Sequence, residues 1–311
     1  MSVADSERFA QRLTAPTGRF LVTMEVNPPK GTDVADILAA VERVKGLVDA
    51  INVTDGSGAM MRACPLAVAK TILDAGIDPI LQMTCRDRNR LALQADLLGA
   101  SILGIRNVLL LTGDDPKAGD HPETKPVFDI NSAALMQAAK GLTEGRDMAG
   151  QPLSGSPQLC IGAAADPGAK DLDVEMQKLK AKIDGGAAFF QTQAVFDPAA
   201  LRAFMERARP HGKPILAGIL LVKSAKMARY MNEHVWGIHV PEEIIARFER
   251  TKEAKAECVA VTVELIRAVR DVADGIHLYA LGWESLVPEI LKKVAGSDPK
   301  HKSDATFPIG V

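Results

Sequence analysis

Cysteine is sparse here, and the four present (Cys64, Cys85, Cys160 and Cys258) are far apart, with no C-x-x-C. That spacing offers neither a zinc site nor a disulfide framework, and the thiols read as reduced residues in or near the core. No metal ligand set is expected. An excess of one charge sign is also missing: 37 basic against 39 acidic residues leave a net charge of −2. There is thus no electrostatic case for nucleic acid or an anionic membrane surface as partner. Long apolar runs are absent too. The longest, such as 215–222, fall far short of the roughly 20 residues a membrane span requires, and the polar opening MSVADSERFAQRL lacks the apolar centre of a signal peptide. A cytoplasmic protein is expected. Finally, no G-x-G-x-x-G follows any strand-like run, so a dinucleotide-binding first turn has no local support.

What the sequence does hold is rhythm. Short β-branched runs alternate with amphipathic stretches of helical period, the mark of a parallel α/β fold. Strands are predicted at 20–26, 50–54, 79–84, 107–112, 159–165, 189–196, 215–222 and 276–281. Helices are predicted at about 34–44, 65–75, 89–103, 132–142, 174–184, 198–208, 225–233 and 285–294. Thr32 or Asp33 is the expected cap of the first helix, whose apolar positions Val34, Ile37, Leu38, Val41 and Val44 follow the i, i+3, i+4, i+7 spacing. A Gly-, Ser- and Pro-rich segment, 144–158, reads as loop. A long helical block, 242–272, interrupts the rhythm before strand eight, its apolar face either packed on the domain or kept for a second subunit. Eight β-then-α units without an internal linker predict a single-domain (β/α)8 TIM barrel over 1–311, with a core of about 20–296 between a polar N-terminal segment and a polar tail. A doubly wound open sheet is the competitor, and it usually brings fewer units and a Gly-rich first turn.

In such a barrel, reacting groups sit at the C-terminal ends of the strands. The polar residues there are Glu25, Thr54, Asp55, Thr84, Asp114, Asp115, Asp166, Gln193, Lys223, Trp283 and Glu284. Any one of them alone could be a helix cap or a solvated loop charge. Glu25 differs, because it lies within the apolar run Val22, Thr23, Met24, Glu25, Val26, ahead of two prolines. A carboxyl held there suits a general acid at neutral pH.

These strand ends also carry a resemblance. M-E-V-N-P-P-K at 24–30 is similar to the F-E-F-x-P-P segment of the methylenetetrahydrofolate reductase family. N-V-T-D-G at 52–56 resembles its V-T-x-G, M-T-C at 83–85 its strand-three end, and L-T-G-D-D-P at 111–116 its R-G-D-x-P. K-I-D-G-G-A-A-F-F-Q-T-Q-A-V-F-D at 182–197 is the most specific match, following K-x-D-A-G-A-x-x-x-x-T-Q-x-x-F-D almost throughout, and G-I-L at 218–220 continues it. The likeness runs in one register over about 20–295.

The resemblance implies an oxidoreductase that interconverts 5,10-methylenetetrahydrofolate and 5-methyltetrahydrofolate in one-carbon metabolism, with FAD as cofactor and NADH or NADPH as the other redox partner. Glu25 would protonate folate N10 and open the methylene bridge to an N5-iminium ion. Asp114 would lie by the flavin pyrimidine and the pterin, and Gln193 would hydrogen-bond the folate. Thr54, Gln82, Thr84, Thr112, Gly113, Ala164, Asp166, Glu175, Lys182 and Ala187 would line the FAD channel, Lys182 near the phosphates, with Ala225 beside the substrate. A homo-oligomer is compatible with this. The chain departs from the pattern at four places: Gln82 replaces a histidine, Thr112 an arginine, and Asp166 and Ala225 aromatic residues. Each lost contact is worth about 1 kcal/mol or more where desolvated. Two further readings follow from these departures, namely the same barrel without a tightly bound flavin, and a non-catalytic barrel subunit.

Overall fold

The structure, a computed structural model, describes residues 8–15, 19–235 and 237–296. The polar tail expected after 296 and the first seven residues lie outside this range. Eight strands, β1 (Leu21–Val26), β2 (Ala50–Val53), β3 (Pro79–Thr84), β4 (Asn107–Leu111), β5 (Cys160–Ala165), β6 (Phe189–Ala194), β7 (Ile215–Leu220) and β8 (Gly275–Tyr279), pair in parallel in chain order. β8 closes on β1, with Thr23 opposite His277, so the sheet is a closed barrel. Among the described residues, the barrel sheet has no edge strand left to template pairing with another chain.

The helices are α1 (Phe9–Thr14), α2 (Ala35–Val44), α3 (Pro65–Asp74), α4 (Arg90–Ile102), α5 (Ser132–Thr143), α6 (Leu172–Asp184), α7 (Pro198–Ala208), α8 (Ala225–His234), α9 (Glu242–Arg250), α10 (Ala254–Val269) and α11 (Val287–Ala295). Side-chain caps fix where several of them start. Asn89, Asn131, Asp171, Asp197 and Ser224 each accept from backbone N–H groups of the first turn of α4 to α8 in order, satisfying donors that have no partner within the helix. Asp171 moves the start of α6 two residues ahead of the expected 174. α2 departs from this: its N-cap position is Val34, whose side chain cannot cap it, and of the two expected caps Asp33 stands one residue earlier and accepts from Ala35 N at 2.9 Å.

The block expected as one helix over 242–272 is two. Thr251 is extended (φ −81°, ψ 144°), and its hydroxyl accepts from Glu253 N at 3.0 Å. A threonine side chain that bonds its own backbone competes with helix continuation. Arg247 spans the break, reaching Glu257 at 2.6 Å and Glu264. The apolar positions Val259, Val261, Val263, Leu265, Ile266 and Val269 are all buried within the chain itself, which favours packing on the barrel over a subunit contact.

Inside the barrel the residues form layers. At the N-terminal end Leu21, Ala50, Ile80, Leu109, Phe189 and Leu216 make an apolar layer, and Phe9 and Leu13 of α1 complete it. The sequence pattern did not foresee α1: six residues are too few to show a period. Phe9 is fully buried, meets Phe189 edge to face at 5.3 Å, and its N–H donates to Asp78 at 2.7 Å. Arg12 and Arg19 both reach the buried Asp49, which also accepts from Val22 N. One end of the barrel is thereby sealed. Gly162 makes room for the ring, since a Cβ there would lie 2.4 Å from Phe189 Cζ.

Candidate active site

Above the apolar layer the inward positions turn polar. Gln191 Nε2 donates to Thr23 Oγ1 and to Asn52 Oδ1, both at 3.1 Å, while Asn52 Nδ2 donates back to Gln191 Oε1 at 2.7 Å. His277 Nδ1 lies 2.9 Å from Thr23 Oγ1 and 3.3 Å from Gln191 Nε2. The four side chains are at most 2% exposed, so their polar atoms must find partners in one another. Sequence reading missed all four. The signal was present in the period of two: Thr23, Asn52 and Gln191 each sit two residues before Glu25, Thr54 and Gln193, on the same face of their strands.

Glu25 is next above this layer on β1, 6% exposed, with Oε2 3.7 Å from His277 Nε2. Tyr279, two residues beyond His277, packs edge to face on the imidazole at 4.6 Å and donates its hydroxyl to Thr192 O at 2.8 Å. Burial, and secondarily the Glu25 carboxylate, push this phenol above its usual range, so it remains a hydrogen-bond donor at neutral pH.

The rim is built from the other strand ends. Thr54 is buried just past β2 and donates Oγ1 to Asn27 at 2.8 Å. Gln82 and Thr84 are buried on β3, and Thr84 is held by its N–H and hydroxyl to Asp55 Oδ2 at 2.7 and 2.9 Å. Arg88 pairs with the same carboxylate. Asp55 is therefore a structural anchor for β3.

Asp166 is 7% exposed beyond β5, and burial raises its carboxyl above the ordinary range despite a hydrogen bond from Gly168 N. Its N–H donates to the buried Glu175 at 3.0 Å. Lys182, whose ammonium is lowered chiefly by burial, donates to Ala164 O at 2.7 Å. Ala187 is buried in the turn before β6, its N–H on Lys182 O. Gly237 joins the two sides: at φ +78°, a Cβ there would stand 3.4 Å from Gln193 Cγ and 3.9 Å from Asp166 Oδ2.

Other expected residues are placed differently. Asp114 is exposed and its carboxylate accepts from Gly58 N at 2.8 Å, tying the loop after β4 to the loop after β2. Thr112 is exposed and donates to Ser132 at the start of α5. Gly113 (φ +96°) lets this loop cross β3, where a Cβ would approach Thr84 Cβ to 2.9 Å. Ala225 opens α8, partly buried behind its cap Ser224. Cys85 and Cys258 are buried, with thiols raised by desolvation to about 11, and Cys160 to about 12, which leaves all three protonated and unreactive.

A sealed floor, a polar middle layer and a buried carboxyl at the opening of the cup are features any barrel enzyme could share, so comparison with known proteins decides the lineage. The family model described as methylenetetrahydrofolate reductase matches residues 8–295. The chain belongs to the methylenetetrahydrofolate reductase family. Among its relatives, a 5,10-methylenetetrahydrofolate reductase of Pectobacterium carotovorum is 26% identical over 90% of this chain and 92% of its own length. A probable methylenetetrahydrofolate reductase (NADPH) of Caenorhabditis elegans is 28% identical over 78% of this chain, and methylenetetrahydrofolate reductase 1 of Schizosaccharomyces pombe 25% over 92%. The chain spans only 36% and 48% of those two eukaryotic relatives. Solved structures of a 2,3-dimethylmalate lyase (TM-score 0.53, 14% identity, 97% of this chain and 91% of that one) and a long-chain alkane monooxygenase (TM-score 0.51, 12% identity, 93% and 94%) share the fold alone. Among the described residues, no helix of this family member is long and apolar enough to cross a membrane.

Proposed function

We infer that this chain is a flavin-dependent reductase that interconverts 5,10-methylenetetrahydrofolate and 5-methyltetrahydrofolate, with NADH or NADPH as the other redox partner. The observation that carries this reading is the placement of Glu25: a carboxyl, nearly sealed from water, on the inner face of β1 at the end of the barrel that α1 leaves open. In the reducing direction Glu25 gives its proton to folate N10, and the C–N10 bond breaks with its electron pair going to N10. The methylene carbon is left as an N5-iminium ion, which a hydride converts to the N5-methyl group. Glu25 ends as a carboxylate. Gln193, beside Gly237 and Asp166, hydrogen-bonds the folate, and Ala225 leaves space at the rim for it.

The donor set fits a flavin. Gln82 would offer its amide to the hydrogen-bonding edge of an isoalloxazine, and Thr54 and Thr84, whose hydroxyl hydrogens go to Asn27 and Asp55, would offer acceptor oxygens. Thr112, Gly113 and Asp114 would stand at the more exposed rim of the same edge. On the far side Ala164, Asp166, Glu175 and Ala187 surround Lys182, the cation assigned to a diphosphate, which would exchange its bond to Ala164 O for a phosphate oxygen. A bound flavin supplies a two-electron carrier for the hydride. Glu25, Asp114 and Gln193 supply proton, electrostatics and orientation. A cytoplasmic setting accords with the free thiols.

The test is anaerobic spectroscopy of the purified protein, adding NADH, NADPH and methyl-folate in turn, and then methylene-folate to the reduced protein. A yellow protein bleached by a nicotinamide and reoxidised by methylene-folate is the expected result. A colourless protein that nonetheless turns over folate would instead support direct hydride transfer from the nicotinamide. That second reading is favoured by Lys182, already committed to a carbonyl, and by Asp166 and Ala225 standing where aromatic contacts are expected. No turnover of folate in either form would refute both.

A further inference from the structure

Glu25 can serve as an acid only if its neighbour does not lock it in the ionised form. An imidazolium 3.7 Å away, buried with it, would do so, because an opposite charge at that range favours the carboxylate strongly. What decides the state of His277 is the other side of its ring. There Nδ1 meets Thr23 Oγ1 and the amide nitrogen of Gln191. Of the two Gln191 amide hydrogens one goes to Asn52 Oδ1 and the other lies between Thr23 Oγ1 and Nδ1, while the Thr23 hydroxyl has Nδ1 and Ile276 O as its acceptors. An amide nitrogen only donates, so it opposes a proton on Nδ1 and leaves that atom as an acceptor. The neutral ring then carries its single proton on Nε2, toward Glu25. Gln191 is turned this way by Asn52, with which it exchanges two hydrogen bonds in a pair buried across the barrel from β2 to β6.

We propose that Gln191, oriented by Asn52, is a positioning residue that holds His277 neutral as its Nε2–H tautomer, so that Glu25 faces an N–H dipole rather than a cation and retains the ability to carry a proton. The inference rests on the reading of Glu25 as the folate acid. The strand-six phrase quoted for the family does not specify position 191. Around the pair, the titratable groups recorded among the described residues are Glu25 on β1 and His277 and Tyr279 on β8; β2 and β6 contribute only amides and hydroxyls.

The opposite orientation is a definite alternative. If both amides turned end for end, the reciprocal pair would still close, Gln191 would present oxygen to Nδ1, and the ring would be protonated there. Nitrogen-15 NMR of histidine-labelled full-length protein separates the two, with the His277 signal assigned by its loss in His277→Gln. Between about pH 6 and about pH 8 the expected spectrum is an unvarying neutral ring, pyrrole-like at Nε2 and pyridine-like at Nδ1. A pyrrole-like Nδ1, or an imidazolium, overturns the proposal. In Gln191→Glu a carboxylate replaces the amide, and the ring is expected to become an imidazolium. The folate half-reaction should then slow by about tenfold or more near pH 7.5, with its alkaline limb moved to lower pH, while reduction by the nicotinamide changes by less than about twofold. A charged ring with an unmoved folate profile refutes the link to Glu25. Should Gln191→Glu not fold, Asn52→Leu with Gln191→Leu removes both amides without stranding either, and His277 is expected to titrate. A ring that stays neutral in that variant also refutes the proposal. The NMR state is read without folate chemistry, so failure of the tautomer and failure of the Glu25 assignment are told apart.

Discussion

Replacing Phe9 by alanine tests whether α1 is part of the core or an ornament on its end. The ring is wholly buried, closes the apolar layer at the floor of the barrel, and contacts Phe189 edge to face at 5.3 Å. Truncating a buried phenylalanine costs about 3–5 kcal/mol through lost transfer energy and the cavity left behind, and the aromatic pair adds about 0.5–1.5 kcal/mol. Because α1 is short and can partly withdraw, the lower figure is the better expectation: about 3 kcal/mol. In urea this lowers the midpoint without changing the slope, and thermally it lowers Tm by about 6–12 °C for a domain this large. Glu25 and its neighbours, two layers up, should be untouched, so kcat near the original value is expected at a temperature where both proteins are folded. A loss below about 1 kcal/mol would show that Leu13 and the Arg12–Asp49 pair suffice to seal the barrel, and the role given to Phe9 would be wrong.

Four other perturbations follow from the same geometry. Gly162→Ala drives a methyl into the Phe189 ring and should destabilise by about 1–3 kcal/mol, with Phe189→Leu in the same chain relieving part of it; equal stability would contradict the packing. Glu25→Gln should slow the folate half-reaction about 10²–10⁴-fold while oxidation of the nicotinamide by a quinone persists, and equal loss of both would count against the acid assignment. Asp55→Asn weakens the pairing with Arg88 and should cost about 2–3 kcal/mol, read as a shift in urea midpoint. Asp166→Asn tests the direction of a titration. Because burial raises this carboxyl in the folded state, the folded protein binds the proton more tightly, and its ionisation costs stability as pH rises through the raised value. The variant should therefore be the more stable at pH above that value, the advantage fading toward the unfolded carboxylate range near ~3.9; an advantage that grows on acidification would reverse the sign.

The barrel itself was legible because its strands are apolar enough to stand out from amphipathic helices, and the eightfold repeat leaves few other closed solutions. Glu25 was legible for a related reason, as a charge inside an apolar run has few explanations. The polar layer was not, because Thr23, Asn52, Gln191 and His277 come from four strands spread over more than 250 positions, and only closure of the sheet makes them neighbours. The split of the long helical block was hidden in Thr251, a residue equally at home inside a helix until its hydroxyl finds Glu253 N. Asp114 illustrates the converse: its motif located it at a strand end, but the commitment of its carboxylate to Gly58 depends on how two loops meet.

The seam between β6 and β7 is where the ladder slips, with Ala194 rather than Thr192 or Gln193 next in register after Gln191. Thr192 O turns instead to the Tyr279 hydroxyl, and Gly218 has no room for a side chain, since a Cβ would lie 2.4 Å from that same oxygen. A phenol two strands away thus holds the backbone carbonyl that immediately precedes Gln193. If Gln193 meets the folate as proposed, Tyr279→Phe is a change remote from it that loosens the carbonyl of its neighbour Thr192.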